Sequence, residues 1–316
     1  MEKPRYVALT GGVGGAKLAL GLTKLLGPDE ITFIVNTGDD FRHLGLYVAP
    51  DLDTLTYTLA GLNNPETGWG RRDETWHFID TLAHLGGETW FRLGDRDLAL
   101  HTERTRLLRE GATLTDVTGR IAGKLGVTHR LLPMSDDAVS TVVLTPNGPL
   151  AFQHYFVRER CAPVVSGFRF DGAERAAVNP GVVRCLEDSR LAGVIVCPSN
   201  PFVSVDPILS LPGLSTRLRE LAAPVIAVSP IVGGAAIKGP TAKMMAELGF
   251  STDAYTVARH YEGLLDAFVL DHADRPLAQS VRDLGLDVTT TNTVMVTLDD
   301  RIALARHCIE QLGRLS

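Results

Sequence analysis

Short, nearly unbroken apolar runs alternate along the chain with stretches whose apolar residues recur every three or four positions. A buried parallel sheet flanked by helices requires this alternation. The first run, Tyr6-Val7-Ala8-Leu9, passes through Thr10 into Gly11-Gly12-Val13-Gly14-Gly15 and then a helix with Leu18, Leu22, Leu25 and Leu26 on one side. Residues 31–35 form a second strand ending in Asn36-Thr37-Gly38-Asp39-Asp40. Residues 46–49 predict a third, ending in Pro50-Asp51-Leu52-Asp53-Thr54 before a helix carrying Leu55, Leu59 and Leu62. Helical spacing then dominates, predicting helices over 74–85, 98–109 and 114–125. Strands are expected over 141–144 and 150–157 around a Pro146-Asn147-Gly148 hairpin turn. Sheet-like runs resume at 193–197, 224–228, 267–270 and 288–289, and a last helix is expected over 300–312. The pattern predicts an α/β fold with a Rossmann-like, mostly parallel sheet, helices on both faces, a mainly helical insertion and a small β-rich segment. We divide it into a Rossmann-like core, 1–65 and 133–316, and a helical insertion, 66–132, whose loops cover a site.

Composition narrows the function classes. A formal charge of -6 over 316 residues, with no basic stripe, excludes a nucleic-acid backbone as the main partner. Arg104, Arg106 and Arg109 read as the solvated face of a helix. Cys161, Cys185, Cys197 and Cys308 are scattered without a CxxC pair, so neither a zinc site nor a disulfide framework is indicated. No run has the length of a signal peptide or membrane span, so a cytoplasmic protein without a membrane partner is expected. A homodimer is the default for an enzyme of this size.

The candidate chemistry lies at the strand ends. A glycine turn between strand and helix offers bare N–H groups and a positive helix terminus to an anion, with Lys17 as a phosphate contact. Neither standard nucleotide motif fits. Lys17 is followed by Leu18, where a P-loop needs a hydroxyl. Lys17 itself stands where the dinucleotide fingerprint needs its third glycine, and Asn36 where that fingerprint needs an acid. A redox dinucleotide enzyme is therefore disfavoured. Asp39, Asp40, Asp51 and Asp53 sit in loops beside the turn, and a diphosphate there requires a counter-charge. Oxygen ligands beside phosphates suit Mg2+. The loop Trp90-Phe91-Arg92-Leu93-Gly94-Asp95-Arg96-Asp97 mixes aromatic and charged residues as a site cover would, with Trp69, Trp90 and Phe91 as candidate walls for a flat ring. The histidines, His43, His77, His101 and His154 among them, show no ligand spacing and read as surface or loop residues.

Seven motifs in order carry a family resemblance: Gly11-Gly12-Val13-Gly14-Gly15-Ala16-Lys17, Asn36-Thr37-Gly38-Asp39-Asp40, Pro50-Asp51-Leu52-Asp53-Thr54, Leu93-Gly94-Asp95-Arg96-Asp97, Leu132-Pro133-Met134-Ser135-Asp136-Asp137, Pro198-Ser199-Asn200-Pro201 and Ser229-Pro230-Ile231. Together they resemble the 2-phospho-L-lactate transferase family of coenzyme F(420) biosynthesis. The resemblance implies an enzyme of the class transferring substituted phosphate groups. A guanosine diphosphate carrying phospholactate, or a related phospho-acid such as phosphoenolpyruvate, is attacked by the ribityl hydroxyl of the deazaflavin Fo, releasing GMP. It implies Asp39 and Asp53 as catalytic and metal-binding carboxylates. It also implies ligand contacts from Gly11, Gly12, Gly14, Gly15, Lys17, Asn36, Asp95, Ser199 and Asn200, and from Arg92 where archaeal members carry a lysine. The competing expectation is a regulator of the same superfamily that binds a nucleotide sugar or dinucleotide and turns nothing over.

Overall fold

A computed structural model describes residues 3–315. Its centre is a sheet of β1 (Arg5–Thr10), β2 (Ile31–Val35), β3 (Arg130–Pro133), β4 (Leu191–Val196), β5 (Val225–Val228), β6 (Ala267–Asp271) and β7 (Asp287–Thr291). The spatial order is β7-β6-β5-β4-β1-β2-β3, and every neighbouring pair is parallel. This is the Rossmann-like α/β sheet expected from the apolar runs. The order reverses between β1 and β4, and such a switch point opens a crevice at the carboxyl ends of its strands.

Alternation along β1 sorts its side chains between two cores. Val7 and Leu9 face one layer with Val194 and Val196. Tyr6 and Ala8 face the other, with Leu18 and Leu22 of α1 (Gly12–Leu22) and with Leu304, Cys308 and Leu312 of the C-terminal helix, Leu298–Leu315. Gly21 lets α1 and that last helix touch, since a Cβ there would lie 2.1 Å from the carbonyl oxygen of Arg301. The described residues contain no helix long and apolar enough to cross a membrane.

Two strand expectations are corrected. Leu46–Val48 is not a sheet strand; it pairs antiparallel with Phe41–His43 as a short hairpin, and the third strand of the sheet is β3. Leu44 and Gly45, both at positive φ, turn the chain back before a longer run can form. Residues 150–157 are extended only as far as Ala151; a wide helical turn over His154–Arg158 follows and buries Tyr155. The hairpin itself is present. Gly148–Ala151 pairs with Ser140–Thr145, and Gly167–Asp171 completes a three-stranded antiparallel sheet.

Between β2 and β3 lie α2 (Pro50–Leu59), α3 (His77–His84), α4 (Asp95–Arg109) and α5 (Leu114–Lys124). Helix α4 begins three residues earlier than its apolar spacing indicates. Its exposed first N–H groups are satisfied from a distant segment: the Glu74 carboxylate accepts from Arg96 N and Asp97 N, both at 2.9 Å. Gly94 leaves room for that carboxylate, since a Cβ would lie 2.3 Å from it and displace the Glu74 side chain.

Candidate active site

The crevice at the switch point is a cavity of about 620 Å³. Its floor is the glycine turn. Gly12 opens α1 at φ 62, a conformation natural to glycine, and its N–H donates to Asp51 Oδ1 at 2.6 Å. Gly14 has no room for a side chain, because a Cβ would come 2.2 Å from the carbonyl oxygen of Pro198 beyond β4. Ser199 fastens the same junction, accepting from Gly11 N at 3.3 Å and donating to Gly11 O at 2.8 Å. Gly11, Gly12, Gly14, Lys17, Ser199 and Asn200 all line the cavity. Gly15 does not; it lies against Thr10 and Ser199, so its glycine serves the packing of α1 on β1.

Carboxylates crowd one wall. Asn36, wholly buried beneath them, donates from Nδ2 to Asp51 Oδ2 at 2.9 Å and to Asp39 Oδ1 at 3.4 Å. It therefore orders the acids and does not itself reach the cavity. Burial, then the charges of Asp51 and Asp40, raise the Asp39 carboxyl well above its usual range. Burial raises Asp51 to about 6 against the opposing hydrogen bonds from Asn36 and Gly12. Burial also raises Asp40, which accepts from Tyr47 Oη at 2.9 Å. Ionised together, these groups hold more negative charge than the protein offsets.

Asp53 is different. Both of its oxygens meet the guanidinium of Arg104, which comes from α4 and is itself buried. Burial alone would loosen the Arg104 proton, but the charge of Asp53 more than offsets it. His101 fits between this pair and Asp97: its Nδ1 lies 3.3 Å from Arg104 and its Nε2 3.4 Å from Asp97 Oδ1. Tyr57 Oη donates to the same Asp97 oxygen at 2.5 Å. Arg104 and His101 are thus buried site residues, where the sequence suggested surface. His43 is also buried, its ring edge-to-face with Trp90 at 5.1 Å. Asp97, His101 and Arg104 fall at i, i+4 and i+7 on one face of α4, a spacing the sequence already contained.

Aromatic side chains line the cavity beside the carboxylates. Trp69, Trp90 and Phe91 line it together with Arg92, whose guanidinium stacks 4.3 Å above the Trp76 ring. Asp95 lies outside the cavity. Its carboxylate accepts from His77 N, Phe78 N and Thr75 Oγ1, which makes it a brace for the start of α3. Lys17 Nζ reaches the Met295 carbonyl at 2.8 Å, and burial followed by the charges of Arg301 and Lys238 lowers its pKa.

The donor set fits a divalent cation in a specific way. Among the described residues no three His, Cys, Asp or Glu side chains are grouped to hold a metal. Mg2+, however, needs only one or two carboxylates when phosphates and water complete its shell. Asp39 and Asp51, bridged by Asn36 and without a cationic partner, are compatible with that need. Asp53, expected as a ligand beside Asp39, already faces a guanidinium with both oxygens.

A family model described as 2-phospho-L-lactate transferase CofD matches residues 6–310. A phosphoenolpyruvate transferase of Streptomyces griseus subsp. griseus is 40% identical over 312 residues, covering 97% of this chain and 98% of that one. A 2-phospho-L-lactate transferase of Methanosarcina mazei is 35% identical over 304 residues, covering 96% and 99%. The crystal structure of protein BH3568 from Bacillus halodurans superposes with a TM-score of 0.64 at 13% identity, over 98% of this chain and 100% of that chain. That last likeness concerns the fold alone.

Proposed function

The chain belongs to the 2-phospho-L-lactate transferase CofD family, and on that footing we propose that it transfers a 2-phospho-L-lactyl or phosphoenolpyruvyl group from its guanosine diphosphate-activated form to the deazaflavin Fo, releasing GMP, in coenzyme F(420) biosynthesis. One observation carries the reading: a single cavity is lined by the glycine turn that opens a helix, by buried carboxylates and by aromatic rings. A diphosphate suits the first, a divalent cation the second and a flat heterocycle the third.

In this reading the first-turn N–H groups of α1 and Lys17 bind the diphosphate. Asp39 and Asp51, ordered by Asn36, hold Mg2+. When bound, that ion polarises the phosphoanhydride and stabilises charge on the departing GMP. Asp53, held rigid by Arg104, accepts a hydrogen bond from the ribityl hydroxyl and aims it at the phosphorus. Its part is positioning, on which a loose phosphoryl transfer depends more than on deprotonation. Trp90 and Phe91 flank the ring system.

Purified protein mixed with Fo, Mg2+ and either activated phospho-acid provides the test, read by chromatography of GMP and mass of the deazaflavin product. Stoichiometric GMP and phosphodiester are expected, with Asp39→Asn lowering kcat about 100-fold or more. Ligand binding with no GMP from either donor would instead favour the regulator.

A further inference from the structure

Four cationic side chains line the cavity: Lys17, Arg92, Arg160 and Lys238. Three are engaged within the protein. Lys17 holds the Met295 carbonyl, Lys238 holds the Thr67 carbonyl at 2.8 Å, and Arg92 stacks on Trp76. Arg160 has no hydrogen bond, ion pair or ring partner among the described residues.

Its backbone makes that freedom informative. Arg160 and Cys161 are consecutive residues at positive φ, 50 and 58. They end the wide turn over His154–Arg158, where Cys161 N closes onto Tyr155 O at 2.9 Å. A helical segment that ends this way ordinarily uses glycine, since a side chain in the left-handed region costs about 1 kcal/mol. Here the strain is accepted and the side chain kept. Strain that persists at the rim of a ligand cavity points from geometry toward function.

The same segment also supplies Gln153, which donates from Nε2 to the Asp39 backbone oxygen at 3.3 Å. Arg160 therefore lines the cavity on a segment that reaches Asp39 through Gln153 and Trp90 through His154, whose ring lies 4.7 Å from the indole. The proposed donor carries two kinds of anion. Its diphosphate is met by α1, Lys17 and the cation. Its remaining anion is the carboxylate of the phospho-acid, a planar group matched by a guanidinium fork.

We infer that Arg160 is the residue that recognises the carboxylate of the transferred phospho-acid. The inference rests on the transferase reading above and deepens it. It assigns selection of 2-phospho-acids over simple phosphate esters to one unpaired guanidinium held at a strained turn.

The test compares two donors at saturating Fo: GDP esterified on its β-phosphate with the hydroxyl of lactate or enolpyruvate, and GDP esterified there with ethanol, which lacks the carboxylate. Wild type, Arg160→Gly and Arg160→Lys are assayed for GMP release and for thermal midpoint. Arg160→Gly is expected to reduce the wild-type preference for the carboxylate donor roughly 10- to 100-fold. The lysine variant should recover part of it, and the KM for Fo should hold. Because glycine relieves the turn, its thermal midpoint should equal or exceed that of wild type, which separates lost recognition from lost folding. An equal loss on both donors, or a change confined to the KM for Fo, overturns the inference. Absence of GMP release by wild type from the carboxylate donor overturns the transferase reading itself.

Discussion

Arg104 and Asp53 show how single residues decide what this site does. A guanidinium and a carboxylate removed from water together are tolerable, but either alone is costly. Arg104→Met is expected to destabilise the fold by about 3–5 kcal/mol in urea denaturation, and Arg104→Met with Asp53→Leu to recover most of that loss. A single-variant cost below about 1 kcal/mol would show that the pair is not desolvated. Asp51 gives a pH signature. Its folded pKa of about 6 exceeds the unfolded carboxylate value near 3.8, so the folded state binds the proton more tightly. Its contribution to stability is present below the unfolded pKa and is lost as pH rises through about 6. The difference between wild type and Asp51→Asn should therefore move against wild type by on the order of 2–3 kcal/mol between pH 4 and pH 8. Stability curves that remain parallel across that range would contradict the buried assignment. The acidic motifs were legible at this scale because two aspartate pairs, each as apt to cap or turn the chain as to bind, recur beside one glycine turn. Arg104 was read as surface because its neighbours Arg106 and Arg109 are charged, although its spacing from Asp97 and His101 marked a shared face.

Elements of regular structure were readable wherever burial was complete. The strands of the sheet are continuous apolar runs because both of their faces are covered, and that signal survives without knowledge of the partners. Residues 46–49 carry the same apolar character but are cut short by a tight turn whose positive φ at Leu44 no residue type announced. The start of α4 was hidden for another reason: its cap comes from Glu74, twenty-odd positions away. The junction of β1, α1 and the loop after β4 depends on contact distance, and a single methyl group tests it. Gly14→Ala is expected to cost about 1–3 kcal/mol, because its Cβ meets the backbone carbonyl of Pro198, which no rotamer change can move. The same change should weaken GDP binding in calorimetry by pushing α1 off the switch point. Normal stability together with normal GDP affinity would show that the helix terminus is not the phosphate seat.

The whole molecule brings to one cavity segments that lie far apart along the chain: the glycine turn at its start, the Asp39 loop after β2, the first turn of α2 with Asp51 and Asp53 (expected as a loop), α4 from the middle, and the Pro198 and Met295 loops from the second half. The floor was legible in the sequence because an apolar strand running into a glycine-rich turn and then a helix is a local signal that needs no knowledge of the strand order. The walls were only partly legible. Glycines and aspartates advertise themselves, whereas the pairing of Arg104 with Asp53, the bracing role of Asp95 and the free guanidinium of Arg160 arise from contacts between segments with no local signature. The central claim is that a nucleoside diphosphate and a divalent cation share this crevice, the phosphates on α1 and the metal on Asp39 and Asp51. A crystal structure of the protein with GDP and Mg2+ tests it most directly. Phosphate oxygens within hydrogen-bond distance of the Val13 and Gly14 N–H groups, and a metal about 2.1 Å from an oxygen of Asp39 or Asp51, are the expected result. GDP seated away from the glycine turn, or a metal bound without either carboxylate, would contradict the account.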